Sequence, residues 1–245
     1  IKAYGIQALL ISAKLHFKNT EKAKKNDRKI SNETQSNYYL FQSHPCLLKG
    51  MGLFILIITS IILSRIFLWT PVRVDGHSMD PTLADNEYLL VINKLPINRF
   101  DIVVASETEN GKTKEIVKRV IGLPGDTIQY ENDTLYINGK KTDEPYLKEY
   151  IKKFKEDKLQ STYTGKGFEE NGELFRQMAQ SAQAFTVDQD GSATFTKKLL
   201  DDEYLLLGDD RIVSKDSRQV GAFKKSQIKG EAVFRLWPLL PFKTY

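Results

Sequence analysis

Ser78 lies in the stretch VDGHSMDPTL, Val74 to Leu83, between Gly76 and Pro81. Gly76 allows close backbone approach and Pro81 restricts the chain that follows. A serine held there can expose its hydroxyl among backbone N–H groups, the arrangement a nucleophile for acyl transfer needs. The same residues also suit a turn serine that bonds only its own backbone. A nucleophilic serine requires a base. His77 is adjacent, but neighbours in an extended chain point to opposite sides, so it is expected to face away, as a solvated turn residue. His16 and His44 both precede the long apolar run Met51 to Trp69. If that run crosses a membrane, they lie on its other side.

A lysine can serve if it is neutral. Free lysine has a pKa of ~10.4, so about one in 2,500 is unprotonated at pH 7. Burial among apolar groups lowers that value by several units. Most lysines here lie in polar runs, but Lys118 does not. In EIVKRVIG, alternation puts Ile116, Lys118 and Val120 on one face of a strand and Val117, Arg119 and Ile121 on the other. Lowering the Lys118 pKa by ~3 units costs about 4 kcal/mol in the charged form, a cost that points to use. The competing reading is a lysine that discourages aggregation on an edge strand.

These residues need a scaffold. At 245 residues the chain has room for one or two domains with a real core. The segments EYLLVIN, DIVVAS, KEIVKRVIG, DTIQYEN, TLYING, EYLLLGD and GEAVFRLWPL are short, β-branched or aromatic and bounded by turn residues, as strands are. Asn132-Asp133 and Asn138-Gly139 suit tight hairpin turns. Between residues 144 and 200 the character changes: EPYLKEYIKKFKEDKLQ and EENGELFRQMAQSAQAF have helical spacing, the mark of a mixed α/β insertion or second lobe on a mainly β core.

Residues 51–70 are expected to form one transmembrane helix, since about 20 residues at 1.5 Å each cross ~30 Å of hydrocarbon. Lys22, Lys24, Lys25, Arg28, Lys29 and Lys49 precede it, which places the N-terminus in the cytoplasm. Arg65 can snorkel and Trp69 suits an interface. No small-x-small site follows, so a cleavable signal fits less well. Residues 1–50 open with isoleucine and are polar and aperiodic in KNTEKAKKNDRKISNETQSN; they read as a disordered or misassigned cytoplasmic extension. Residues 71–245 then form an extracytoplasmic catalytic domain. The single cysteine, Cys46, excludes an internal disulfide. One cysteine and three histidines at these spacings do not make a zinc site, so no metal or cofactor is expected. The net charge of +5 permits lipid or nucleic acid as a partner, but residues 1–50 offer no paired helices with a turn to read DNA.

Four blocks occur in order after the apolar run: GHSMDPTL, RFDIVVA, KEIVKRVIGLPGDTI and LLLGDDRIVSKDSRQVG. From Met51 onward the chain resembles the bacterial type I signal peptidases, above all the short Gram-positive, streptococcal-type forms. The resemblance implies a Ser/Lys dyad, with Ser78 as nucleophile and Lys118 as general base. It implies that Ser214 hydrogen-bonds and orients the lysine, that Asp216 and Arg218 form a supporting ion pair, and that Asp209 belongs to the same group. It implies a mainly β signal peptidase/LexA-like catalytic core, partly in contact with the bilayer, that cuts preprotein signal peptides after small residues of the Ala-x-Ala pattern. The secretion machinery is a further possible partner. Where some relatives have an oxyanion-hole serine this chain has Gly76, so the expected oxyanion donors are backbone N–H groups of Ser78 and Gly76. Asp210 stands where asparagine is common, with little effect expected, and Phe100 stands where glycine is usual. Met79 and Ile116 are the expected pocket walls. Two other functions fit the same residues: a LexA-like autoprotease, and a non-catalytic, membrane-tethered β binding module.

Overall fold

The computed structural model of the chain describes residues 20–31, 49–65, 67–109 and 111–238. Expectations for residues 1–19 and 32–48, including His16, His44 and Cys46, lie outside them. The chain divides into two units, one up to Leu63 and one from Ser64. In the first, residues 20–31 are helical, and a second helix runs over 49–65, past the unit boundary. Leu53, Phe54, Ile55, Leu56, Ile61 and Ile62 on the second helix are exposed. Among the described residues no helix is long and apolar enough to cross a membrane. A strand begins at Trp69, so the last two residues of the expected span are extended.

The second unit is built on two antiparallel sheets. The larger contains β1 (Trp69–Arg73), β2 (Tyr88–Asn93), β3 (Ile102–Glu109), β4 (Lys112–Gly122), β9 (Glu203–Leu207), β10 (Phe223–Lys224) and β11 (Ile228–Trp237), in the order β1-β2-β11-β3-β4-β9-β10. The smaller contains β5 (Thr127–Glu131), β6 (Thr134–Ile137), β7 (Lys140–Thr142) and β8 (Thr194–Lys198), in the order β7-β6-β5-β8. Seven of these strands coincide with the β-branched or aromatic segments expected between turn residues. The others (β1, β7, β8 and β10) are short or polar and carry little pattern.

Local chemistry fixes the small sheet. Asn132 and Asp133 both have positive φ, as do Asn138 and Gly139, which is the type I′ geometry whose twist matches that of the flanking strands. The resulting pairs, Glu131 with Thr134 and Ile137 with Lys140, set the register of β5, β6 and β7. The insertion contributes α1 (Lys148–Asp157) and α2 (Gly172–Ser181). α1 buries Tyr150 and Phe154, four residues apart on one face. With Tyr163, Phe185 and the inner face of the small sheet they form one core cluster, which also takes in Ile121, Leu205 and Leu207 of the large sheet.

β4 sits between β3 and β9 and is covered on both faces. Val117 packs with Leu89, Val91 and Val104 in one cluster. Val120 packs with Val103, Ala105 and Leu206 in another, against which Ile116 rests. Lys118 lies between Ile116 and Val120 in the alternation and pairs directly with Val103. The face assigned from sequence is the face observed.

Phe100 has a φ of 72° and its carbonyl accepts a hydrogen bond from Arg119 Nη1 at 2.9 Å. The left-handed backbone explains why glycine suits this position. A phenylalanine holds it at a cost of about 1–2 kcal/mol, offset by packing against Tyr146 at 5.9 Å.

Candidate active site

Residues 74–87 form a closed turn between β1 and β2. Val74 N donates to Glu87 O at 2.7 Å and Asn86 N to Val74 O at 3.0 Å. Met79 and Leu83 are fully buried in the core beneath it. Burying each side chain is worth ~1.5–3 kcal/mol, which pins the turn. Gly76 holds a φ of 83° that a Cβ would strain. On this turn Ser78 Oγ lies 2.6 Å from Lys118 Nζ.

Lys118 is 4% exposed. Burial lowers its pKa to about 8; Asp216 and Glu107 oppose the shift and Arg218 assists it. At pH 7 about one molecule in ten then carries the neutral amine, roughly two hundred times the fraction for free lysine. A weak base at this distance from a hydroxyl can draw off its proton without histidine or metal.

The block 208–218 supports both residues. Asp216 accepts from Arg218 Nε at 2.8 Å and Nη2 at 2.9 Å, and from Gly208 N at 3.0 Å. It also caps a short helix, α3 (Ser217–Val220), through Arg218 N. Burial alone raises the Asp216 carboxyl, but Arg218 and the Gly208 N–H together hold it below its ordinary value. Asp209 receives a bidentate pair from Arg119, Nε at 2.8 Å and Nη2 at 2.6 Å, and the Thr82 hydroxyl donates to it. Arg119 follows Lys118 on β4, so Asp209 ties the far face of that strand to the nucleophile turn. The sequence groups these residues in one supporting role; the structure splits them, with Asp216 and Arg218 behind Lys118 and Asp209 beneath Thr82.

Asp210 and Arg211 complete a run of three buried ionisable residues, each met by a different element. Arg211 pairs with Glu144 and donates to Tyr130 Oη at 2.8 Å. Tyr163 Oη donates to the Asp210 carboxyl, 2.9 Å from each oxygen. Burial pushes the Asp210 pKa up to about 8, with Asp80 adding to the rise and Tyr163 opposing it. At pH 7 most of this carboxyl is therefore the neutral acid, close in shape and charge to an asparagine side chain.

Several expectations need correction. The Gly76 N–H donates to Asp85 Oδ1 at 2.8 Å, so it is committed to closing the turn and does not face an oxyanion. The Ser78 N–H meets no acceptor among the described residues. Ser214 Oγ, expected to bond Lys118, is buried with no partner among the described residues. Its side chain leans over Gly208, where an added Cβ would overlap it. His77 does point away from the dyad, but it is not solvated: its Nδ1 lies 2.9 Å from Asp80 Oδ2 and its ring packs on Phe168. Met79 is core and forms no wall, whereas Ile116 lines the groove.

Sequence reasoning missed Gly208, Tyr163 and Glu107. Glu107 is buried near Lys118, 3.4 Å from Lys114 and 3.5 Å from Lys215. Only its register opposite Lys114 in the β3–β4 hairpin hinted at this. A groove of about 380 Å³ runs past the dyad, with Pro71, Val72 and Arg73 of β1 on one side and Ile116 and Lys118 of β4 on the other.

Comparison with known proteins places the chain in a family. Residues 47–237 match the family model described as signal peptidase, peptidase S26. The chain is 64% identical over 199 residues to the signal peptidase I of Streptococcus pneumoniae serotype 4, covering 81% of this chain and 97% of that protein. It is 40% identical over 183 residues to the signal peptidase I of Bacillus caldolyticus, covering 73% and 85%. A solved signal peptidase I from Enterococcus faecalis matches at 29% identity over 56% of this chain and 97% of that one, with a TM-score of 0.37.

Proposed function

We infer that Ser78 and Lys118 are the nucleophile and general base of this chain, which belongs to the bacterial type I signal peptidases of peptidase family S26. It is accordingly a serine endopeptidase that removes signal peptides from preproteins. What carries the assignment of residues is the 2.6 Å approach of a buried lysine amine to a serine hydroxyl.

Neutral Lys118 takes the Ser78 hydroxyl proton as Oγ attacks the carbonyl of the last signal-peptide residue. The resulting oxyanion is held by the Ser78 N–H, which is free to donate; losing one such donor typically costs ~10²–10³ in rate. Protonated Lys118 gives its proton to the leaving amine, and the new N-terminus departs with the mature protein. Lys118 then takes a proton from water as the water attacks the Ser78 ester, and returns it to Oγ as the acyl–oxygen bond breaks, which releases the signal peptide and restores both residues. Asp216 and Arg218 form a rigid ion pair behind the amine, and Ser214 lies beside the carbonyl of the nucleophile.

The substrate lies extended along β1. That strand is at the edge of the sheet, so its outer N–H and C=O groups are available to a further strand. Ile116 limits the room for side chains near the cut, in keeping with small residues there. We read the apolar run 51–70 as the anchor, with the catalytic unit outside the cytoplasm, on its length of about 20 residues and the basic residues before it.

The test is to incubate the detergent-solubilised chain with a preprotein and map the cut by mass spectrometry, alongside labelling with a serine-reactive acylating probe. The probe mass is expected on the peptide that contains Ser78. Both label and cut are expected to vanish in Ser78→Ala while the protein stays folded. A Ser78→Ala protein that still cuts at the same bond removes Ser78 from the role.

A further inference from the structure

The insertion between β7 and β8 has no part in the steps above, yet its aromatic residues meet the nucleophile turn. The His77 ring lies 4.5 Å from that of Phe168, tilted by 31°, and 5.8 Å from that of Phe175, edge-on. Phe168 and Phe175 in turn pack against Tyr163 at 5.4 and 5.5 Å. Gly172, at the start of α2, has no room for a Cβ, because the Tyr163 carbonyl fills that space. The loop bearing Tyr163 and the helix bearing Phe175 are thus drawn into direct backbone contact, which fixes the three rings as a set.

The same set reaches the nucleophile by a second path. Tyr163 Oη holds the Asp210 carboxyl, and Asp210 N donates to the Ser78 carbonyl oxygen at 3.2 Å. The side chain before the nucleophile and the carbonyl of the nucleophile itself are therefore both anchored to one aromatic cluster. Fixing those two points fixes the backbone angles of Ser78, and with them the direction in which Oγ leaves the chain. His77 also bonds Asp80 across the turn, so its ring cannot swing away without breaking that contact.

We propose that the insertion is a brace for the nucleophile turn, with His77 as the positioning residue whose ring, seated on Phe168 and Phe175, aims Ser78 at Lys118. This rests on the Ser78/Lys118 assignment above and gives residues 144–200 a task. His77 takes no proton in the reaction. It acts through shape, so a ring without nitrogens can replace it, and a chain that keeps the polar contact without the ring cannot.

The test uses the full chain in detergent with a preprotein substrate, comparing kcat and KM for wild type, Ser78→Ala, His77→Ala, His77→Phe, His77→Gln and Phe168→Leu. Misplacing a reacting group by about 1 Å costs on the order of 100-fold. His77→Ala is expected to lower kcat by about that factor with KM changed less than about threefold. His77→Phe is expected to recover roughly tenfold of the loss and His77→Gln to recover none. Phe168→Leu, which keeps apolar volume without the ring face, is expected to lower kcat by about tenfold. It decides the matter if the His77 variants do not fold. The proposal is overturned if His77→Ala or Phe168→Leu keeps wild-type kcat, if the loss falls on KM, or if Gln rescues as well as Phe. Continued cutting by Ser78→Ala would instead bring down the dyad, and the brace with it.

Discussion

Lys118→Met is expected to abolish preprotein cleavage and, at the same time, to make the protein more stable at pH 7. The first effect follows from removing the base. The second follows from the cost of burying it. In the unfolded chain the amine has a pKa of ~10.4; in the fold burial lowers it to about 8. Below pH 8 both states are protonated, and the folded state carries the full penalty, about 3 kcal/mol at 1.36 kcal/mol per unit. Between pH 8 and ~10.4 the folded state has shed its proton while the unfolded state has not, so the wild type gains stability as pH rises. Above that range the penalty is gone. Thermal unfolding at pH 7 and pH 10.5 in detergent checks this. The variant is expected to lead by up to about 3 kcal/mol at pH 7, with the margin from this source lost at pH 10.5. A Lys118→Met protein less stable than wild type at pH 7 would mean that the amine is well paired and unsuited to act as a base.

Gly208→Ala is expected to cost at least about 100-fold in kcat and 1–3 kcal/mol of stability, the usual cost of overfilling a packed site. A Cβ at residue 208 would lie well under 3 Å from the Ser78 carbonyl oxygen and from Ser214 Oγ and Cβ. A long flexible side chain could yield, but the carbonyl oxygen belongs to the nucleophile itself and is already held by Asp210 N. Relief has to come from moving either Ser78 or the strand end that carries Gly208. Movement of that strand end would break the bond from Gly208 N to Asp216. Steady-state kinetics together with a melting curve separate the outcomes. A variant that loses stability but keeps wild-type kcat would show that the turn tolerates displacement, against the geometry described here.

What was legible in the sequence was short-range. The period-two alternation around Lys118 placed its face because β4 is long, pairs with β3 in unbroken register through Arg119 and is covered on both sides. Asn132-Asp133 and Asn138-Gly139 marked their hairpins because few residue pairs accept two positive φ values. The direction of His77 was legible too, but its environment was not: the rings that cover it come from residues 168 and 175, about 90 positions away. The Gly76 N–H looked available because Asp85, its acceptor, is brought back only when the turn closes. Tyr163 with Asp210 and Thr82 with Asp209 are separated by 47 and 127 positions, beyond the reach of any periodic pattern. Asp210 illustrates the limit well. As a letter it reads as a fixed charge; in its place, burial raises its pKa to about 8 against the opposing Tyr163 hydroxyl.

The claim beneath the mechanism is that one amine in this enzyme is largely stripped of its charge a few pH units early. NMR of the intact, detergent-solubilised enzyme carrying ¹³C at the lysine ε-carbons reads this directly, with the Lys118 signal identified by its loss in Lys118→Met. A Lys118 midpoint near pH 8 is expected, well below the ~10.4 of free lysine. A Lys118 signal with the ~10.4 midpoint of free lysine would contradict the mechanism.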